Sequence, residues 1–167
     1  MEFKELIQAR YSVRAYKTDP VGEDKLARIL EAARLAPTAA NRQPFRILVI
    51  PTAGRQLELA RIYPRPWFVQ APLLIAGCGV PAENWVRRDG RNYNDVDVTI
   101  AMDHLILAAA NEGLGTCWVA AFDPDAAREV LKLEPGLEPV AFTPLGYAAD
   151  APRPKQRKAL GELIRKL

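Results

Sequence analysis

Histidine and cysteine are almost missing from this chain: 167 residues include one histidine, His104, and two cysteines, Cys78 and Cys117. With no CxxC or HxxxH spacing, a dedicated metal site lacks its ligands, and no metal is expected. Both cysteines stand in apolar stretches, LLIAGCGV and GTCWVAAF, where a free thiol behaves as a small buried hydrophobe. A structural disulfide is therefore not expected. There is also no apolar run long enough for a signal peptide or a membrane span, and Met1 is followed by Glu2, Lys4 and Glu5. The expectation is a cytoplasmic protein without membrane contact. Nor is there a marked excess of one charge: 23 Lys and Arg against 20 Asp and Glu leave a net +3, too little to argue for nucleic-acid binding.

What is present is ordinary globular material, 49% apolar and 26% charged, in a length suited to one domain spanning residues 1–167. Phe3, Leu6, Ile7 and Arg10 fall at helical spacing, as do Leu26, Ile29, Leu30 and Ala33 between Glu23 and Leu35. Asp19 and Pro20 break the chain between them, and Pro37 stops the second helix. Residues 46–50 (RILVI) and 73–78 (LLIAGC) are short continuous apolar runs that read as strands buried on both faces, with a helix expected over residues 54–61. The stretch DVDVTIAMDHLILAAANEG is a helix apolar over much of its circumference, so it is expected to be buried. After Gly113 and Gly115, TCWVAAF reads as a strand, DPDAAREVLKL as a helix opened by Asp123 or Pro124, and PVAFTPLGYA as the last strand. This order predicts an α+β, three-layer fold with a mixed central sheet of four to five strands flanked by helices.

Three segments carry possible chemistry. Arg10, Tyr11, Ser12 and Arg14 place two guanidiniums and a hydroxyl within five residues, a set suited to charge-assisted binding of phosphate or another anionic group. The alternative is a solvated helix end whose arginines complement the macrodipole. The loop APTAANRQPF combines small residues, which allow close approach of a flat ligand, with the carboxamides of Asn41 and Gln43, which offer donors and acceptors. Near the C-terminus, Arg153, Lys155, Arg157, Lys158, Arg165 and Lys166 concentrate positive charge; a solvated tail or a nucleic-acid patch are the other readings, the second lacking interleaved aromatics. Gly77, Gly79 and Ala82 mimic a GxGxxA dinucleotide fingerprint with Asp95 or Asp97 downstream, but Pro81 and Asn84 fit a loop better than a helical turn.

RYSVRAY followed by APTAANRQPF resembles the paired N-terminal signatures of nitroreductase-like flavoproteins, and AANEGLGTCWVAAFD, PLGYA and PRPKQRK continue the likeness in order. The resemblance implies a domain-interlocked homodimer with two FMN sites in the subunit interface and NADH or NADPH as electron donor. It places phosphate and ribityl contacts on Arg10, Tyr11, Ser12, Lys155 and Arg157, and Arg14 at the pyrimidine end of the flavin. Pro37, Thr38 and Ala39 correspond to a loop reaching the other subunit's flavin, and Asn41 and Gln43 to amides beside the ring. Trp118, Ala120 and Ala121 belong to the segment beneath one flavin face, which offers a backbone N–H to N5. The flavin carries the chemistry, so no side chain is expected as catalytic acid or base, and His104 reads as a packed helix residue. The implied activity is reduction of nitroaromatics, quinones or related small acceptors in a ping-pong cycle. A non-catalytic flavin-binding or sensor module, or a specialised activity such as reductive dehalogenation, is the alternative.

The chain also departs from the family pattern. Pro64, Arg65, Pro66, Trp67 and Phe68 stand where longer relatives carry a further amide and lysine near the ring. The excursion PAENWVRRDGRNYN is short, leaving Trp85 and Tyr93 as candidates to line the substrate pocket or simply to occupy a surface loop. Ending at GELIRKL, the chain is not expected to carry a full exchanged C-terminal arm, so the dimer would rest on the long apolar helix and the Pro37 loop.

Overall fold

The computed structural model describes residues 1–167. Two short connected helices open the chain, α1 (Phe3–Ala9) and α2 (Glu23–Arg34), followed by strand β1 (Phe45–Pro51), the one-turn helix α3 (Gln56–Leu59) and strand β2 (Leu73–Gly79). Then come the long helix α4 (Asn94–Asn111), β3 (Gly115–Thr116), α5 (Pro124–Leu131), β4 (Glu138–Gly146) and a terminal turn, α6 (Leu160–Leu163). The four strands pair antiparallel in the order β1-β2-β4-β3. A parallel bridge between Ser12 and Thr116 adds the mixed character.

β2 is central and buried along almost its whole length, and its side chains alternate between two cores. Leu74, Ala76 and Cys78 face a cluster holding Leu59, Phe68, Val130 and Phe142, under α3 and α5. Ile75 faces the other, with Ile29 and Ala33 of α2 and Val98, Met102, Leu105 and Ala109 of α4. The ladder between β2 and β4 passes from Gly77–Ala141 to Cys78–Pro139, skipping Val140. The bulge puts Val140 and Phe142 on opposite faces, Val140 against the second core and Phe142 in the first, and ordinary alternation then returns Leu145 to the second.

Gly77 and Gly79 lie inside β2 rather than in a phosphate-binding turn. A Cβ on Gly79 would stand 2.0 Å from Asn94 Oδ1, and one on Gly77 would stand 2.7 Å from Met102 Cγ. Their role is to let α4 lie close on the sheet, which removes the dinucleotide-fingerprint reading. α2 is fastened to the far end of α4 by Arg28, whose Nε and Nη2 each reach a Glu112 carboxylate oxygen at 2.8 Å, while Lys25 Nζ donates to the Glu112 carbonyl at 2.8 Å.

Three sequence expectations need correction. β1 is an edge strand and only half-buried, because nothing pairs with its outer side. The helix expected over residues 54–61 shrinks to Gln56–Leu59, after a turn in which Gly54 takes φ +75°. TCWVAAF keeps only Thr116 in a ladder: the Cys117 N–H donates to Thr143 Oγ1 at 2.9 Å instead of to a backbone carbonyl, and pairing resumes only at the Val119–Phe142 bridge. Beyond β4, every residue from 151 to 167 is exposed, including Leu160, Leu163, Ile164 and Leu167. In α5 the cap is Asp123, whose carboxylate accepts from the Asp125 and Ala126 N–H groups, with Pro124 at the first helical position. No helix is long and apolar enough to cross a membrane.

Candidate functional site

α1 ends at Ala9, and the chain turns into an extended segment held by hydrogen bonds to distant residues. The Val13 N–H donates to the Thr116 carbonyl at 2.9 Å, and the Tyr16 hydroxyl donates to the Val13 carbonyl at 2.9 Å. Beyond β4, Asp150 clasps the same segment from the other side. Its Oδ2 accepts the Arg14 N–H at 2.8 Å, and its carbonyl accepts the Tyr11 hydroxyl at 2.8 Å. Burial and the Asp150 charge push the Tyr11 phenol above its ordinary pKa, so it remains a donor across the neutral range.

These contacts shape a cavity of about 910 Å³ lined by Arg10, Tyr11, Ser12, Arg14, Asp150, Arg153, Lys155 and Arg157 among others. Lys155 Nζ donates to the Ile7 carbonyl at 2.6 Å, at the negative end of α1. Its pKa is lowered, first by desolvation and then by the like charges of Arg10 and Arg157. Five cations around one carboxylate make a site that favours an anion, and its fan of N–H donors matches the oxygens of a phosphate. The Arg14 guanidinium also lies 6.0 Å from the centre of the Trp67 ring.

The structure thus brings together Arg10, Tyr11, Ser12, Arg14, Lys155 and Arg157 from opposite ends of the chain. Asp150 and Arg153 join them without having been singled out as site residues. A lone carboxylate before a basic run gave no signal of the clasp it forms.

Pro37, Thr38, Ala39, Asn41 and Gln43 do not line this cavity. They form a separate turn over the start of α4, where Ala40, Asn41 and Gln43 take φ values of 52°, 53° and 54°. This left-handed region is disfavoured for residues bearing a Cβ, least so for Asn. Gln43 Nε2 donates to the Asn41 carbonyl at 2.9 Å, and the Gln43 N–H to Thr38 Oγ1 at 3.0 Å, so the turn is partly self-bonded. Asn41 and Gln43 are both exposed.

Trp85 and Tyr93 meet edge to face, ring centres 5.1 Å apart, in the loop before α4. Arg87 Nη1 donates to the Tyr93 hydroxyl at 2.9 Å, fixing that ring. This pair neighbours the 38–43 turn rather than the cationic cavity, since Arg42 Nη1 donates to the carbonyl of Asn84 at 2.9 Å. Trp118, Ala120 and Ala121 are exposed just past β3, and neither alanine N–H is engaged in a hydrogen bond. No group of three or more His, Cys, Asp or Glu side chains is placed to hold a metal ion. Cys78 and Cys117 are free and buried, and burial pushes the Cys78 thiol up to about 12.

The family model described as "Nitroreductase family" matches residues 7–72 and 63–147. The solved structure of a nitroreductase family protein from Clostridium difficile superposes with a TM-score of 0.91 at 37% identity, over 99% of this chain and 98% of that one. A Thermus thermophilus protein named NADH dehydrogenase is 28% identical over 195 residues, covering 93% of this chain and 91% of its own length. A Bacillus subtilis protein named FMN reductase [NAD(P)H] is 26% identical over 165 residues, covering 87% and 66%. With the family's sequence model spanning most of the chain and its fold reproduced end to end, the chain belongs to the nitroreductase family.

Proposed function

We propose that residues 1–167 act as one FMN-binding domain of a homodimeric NAD(P)H oxidoreductase that reduces nitroaromatics, quinones or related small acceptors. The observation that carries this reading is the cationic cavity, whose donor set suits a ribityl phosphate at the meeting point of the RYSVR segment and the basic arm. When bound, FMN supplies the redox chemistry, accepting hydride from NADH or NADPH and delivering it to an acceptor.

The protein's own groups bind and orient. Arg10, Lys155 and Arg157 clamp the phosphate, with the Ser12 hydroxyl and Tyr11 backbone alongside. Arg14, held by Asp150 through its own N–H, places a cation toward the pyrimidine end, where negative charge grows on reduction. The unengaged N–H groups of Ala120 and Ala121 are free to meet the ring edge, while Trp118 contributes an apolar floor.

Two features favour a second copy. The amide-bearing 38–43 turn does not face the cavity of its own chain, so it is available to a flavin held by a partner. The arm exposes Leu160, Leu163, Ile164 and Leu167, and α1 exposes Phe3 at 65%. Covering such surface is what an obligate interface does. Trp85 and Tyr93 would then border the acceptor side of the pocket.

The test is the visible absorption spectrum of the purified protein, before and after anaerobic NADPH and then NADH, together with FMN titration of Arg157→Ala. Yellow protein bleached by either donor supports the reading. At least a tenfold loss of FMN affinity in the variant is expected from removing a charge-assisted phosphate contact. Colourless protein that refuses added FMN sinks the proposal, and full occupancy of the variant at limiting FMN removes the phosphate assignment.

A further inference from the structure

Asp97 lies one turn into α4 and is only 1% exposed, yet no role for it follows from the family resemblance. Its Oδ1 accepts the Ala39 N–H at 2.9 Å, and its Oδ2 is buried without a hydrogen-bond partner. Burying a carboxylate with half of its acceptor capacity unmatched costs free energy. For packing alone, an apolar residue would serve this helix position better.

The carboxylate holds a turn that the local backbone disfavours. Ala40, Asn41 and Gln43 are three of the four non-glycine residues in the chain at positive φ, and a strained segment of this kind persists only while its surroundings over-determine it. Thr38 supplies bonds from within the turn, its Oγ1 accepting the Gln43 N–H and its carbonyl the Asn41 N–H at 3.0 Å. Arg42 bonds outward to Asn84, but its own side chain is exposed and its anchor is another loop. The bond to Asp97 is the one that ties the turn to a long, buried helix. It also enters the turn at Ala39, immediately before the first left-handed residue.

We propose that Asp97 is a positioning residue for the flavin site: it holds the strained 38–43 turn against α4, so that Asn41, Gln43 and the Pro37–Ala39 backbone meet the ring in a fixed geometry. This rests on the FMN reading given above. The mechanism is pre-organisation, since a turn held before the ligand arrives does not have to be ordered by it.

Asp97→Ala removes the acceptor, and Asp97→Asn retains an oxygen for the Ala39 N–H. Leu59→Ala, a cavity in the opposite core, controls for general loss of stability. Three quantities are read: hydrogen exchange of residues 37–43 in flavin-free protein, the FMN dissociation constant, and the visible circular dichroism of bound FMN.

The alanine variant should exchange the turn at least tenfold faster, bind FMN about tenfold more weakly and alter the flavin dichroism. The asparagine variant should restore all three. Leu59→Ala should lower Tm while leaving turn exchange, affinity and dichroism unchanged. Unchanged exchange and affinity in Asp97→Ala overturn the inference, as does an equal loss of FMN in Leu59→Ala. Should the alanine variant fail to fold, Asp97→Ser, too short to reach Ala39, gives the same reading. Wild-type protein that binds no FMN defeats the flavin reading itself. Exchange in the 37–43 segment still reports separately whether Asp97 holds the turn.

Discussion

At Gly79 the absence of one methyl group decides how near α4 comes to the sheet. Gly79→Ala would put a Cβ 2.0 Å from Asn94 Oδ1, and the neighbour is the first residue of the helix rather than the tip of a long flexible side chain. Overpacking of this kind costs about 1–3 kcal/mol, so urea denaturation of Gly79→Ala should show a midpoint shift of that size with an unchanged slope. The same displacement would disturb Asn94 and, one turn on, Asp97, so the variant should also loosen the 38–43 turn. At this scale the sequence is readable where a side chain's chemistry announces itself. Arg10 and Arg14 stand out because two guanidiniums beside a hydroxyl suit an anion, whereas Lys155 and Arg157 are picked out of the C-terminal basic run only by the family resemblance. Asp97 and Asp150 do not stand out, because what each carboxylate does depends on a backbone N–H that folding brings to it, from Ala39 in one case and Arg14 in the other.

Between elements, the junction of α2 and α4 is electrostatic at one end and apolar along its length. Arg28 holds the Glu112 carboxylate below the usual glutamate range, chiefly through its hydrogen bonds, with the Arg28 and Lys25 charges helping. A carboxylate whose folded pKa is depressed contributes stability that is present above its unfolded pKa, about 4.3, and lost as pH falls through the folded value. Arg28→Ala should therefore melt below wild type at pH 7, and the Tm difference should shrink steadily once pH falls below about 4. A difference independent of pH would mean that Arg28 acts through packing of its stem instead. The helices α2, α4 and α5 are legible in sequence because apolar residues recur at their period and Asp123-Pro124 marks a start. The segment after Thr116 misled the reading, for its composition is that of a strand. The competitor is Thr143, whose hydroxyl captures the Cys117 N–H and interrupts the ladder, an interaction 26 residues away in the chain that no local pattern can report.

In the whole molecule, the anion cavity joins residues 10–14 to residues 150–157, so the two ends of the chain must be brought together before any site exists. In the proposed homodimer, the exposed apolar arm and the turn that faces away from its own cavity would be completed by a second copy. Replacing Leu160, Leu163, Ile164 and Leu167 together with serine, while keeping Lys155 and Arg157, should shift sedimentation velocity from dimer toward monomer and weaken FMN binding. An unshifted dimer would place the interface elsewhere, with α4 and the Pro37 loop the remaining candidates. The sequence by itself determined the three-layer class, the place of the principal helices and strands and, through its ordered motifs, the family, whose pattern picks out Arg10, Arg14, Lys155 and Arg157, because periodicity, capping residues and short motifs are local properties. Only the tertiary structure decided the antiparallel strand order, the truncated β3 and the hydrogen bonds that Asp97 and Asp150 accept. Each of these depends on which backbone donor or acceptor a distant residue meets, and that is settled by packing rather than by neighbours in the chain.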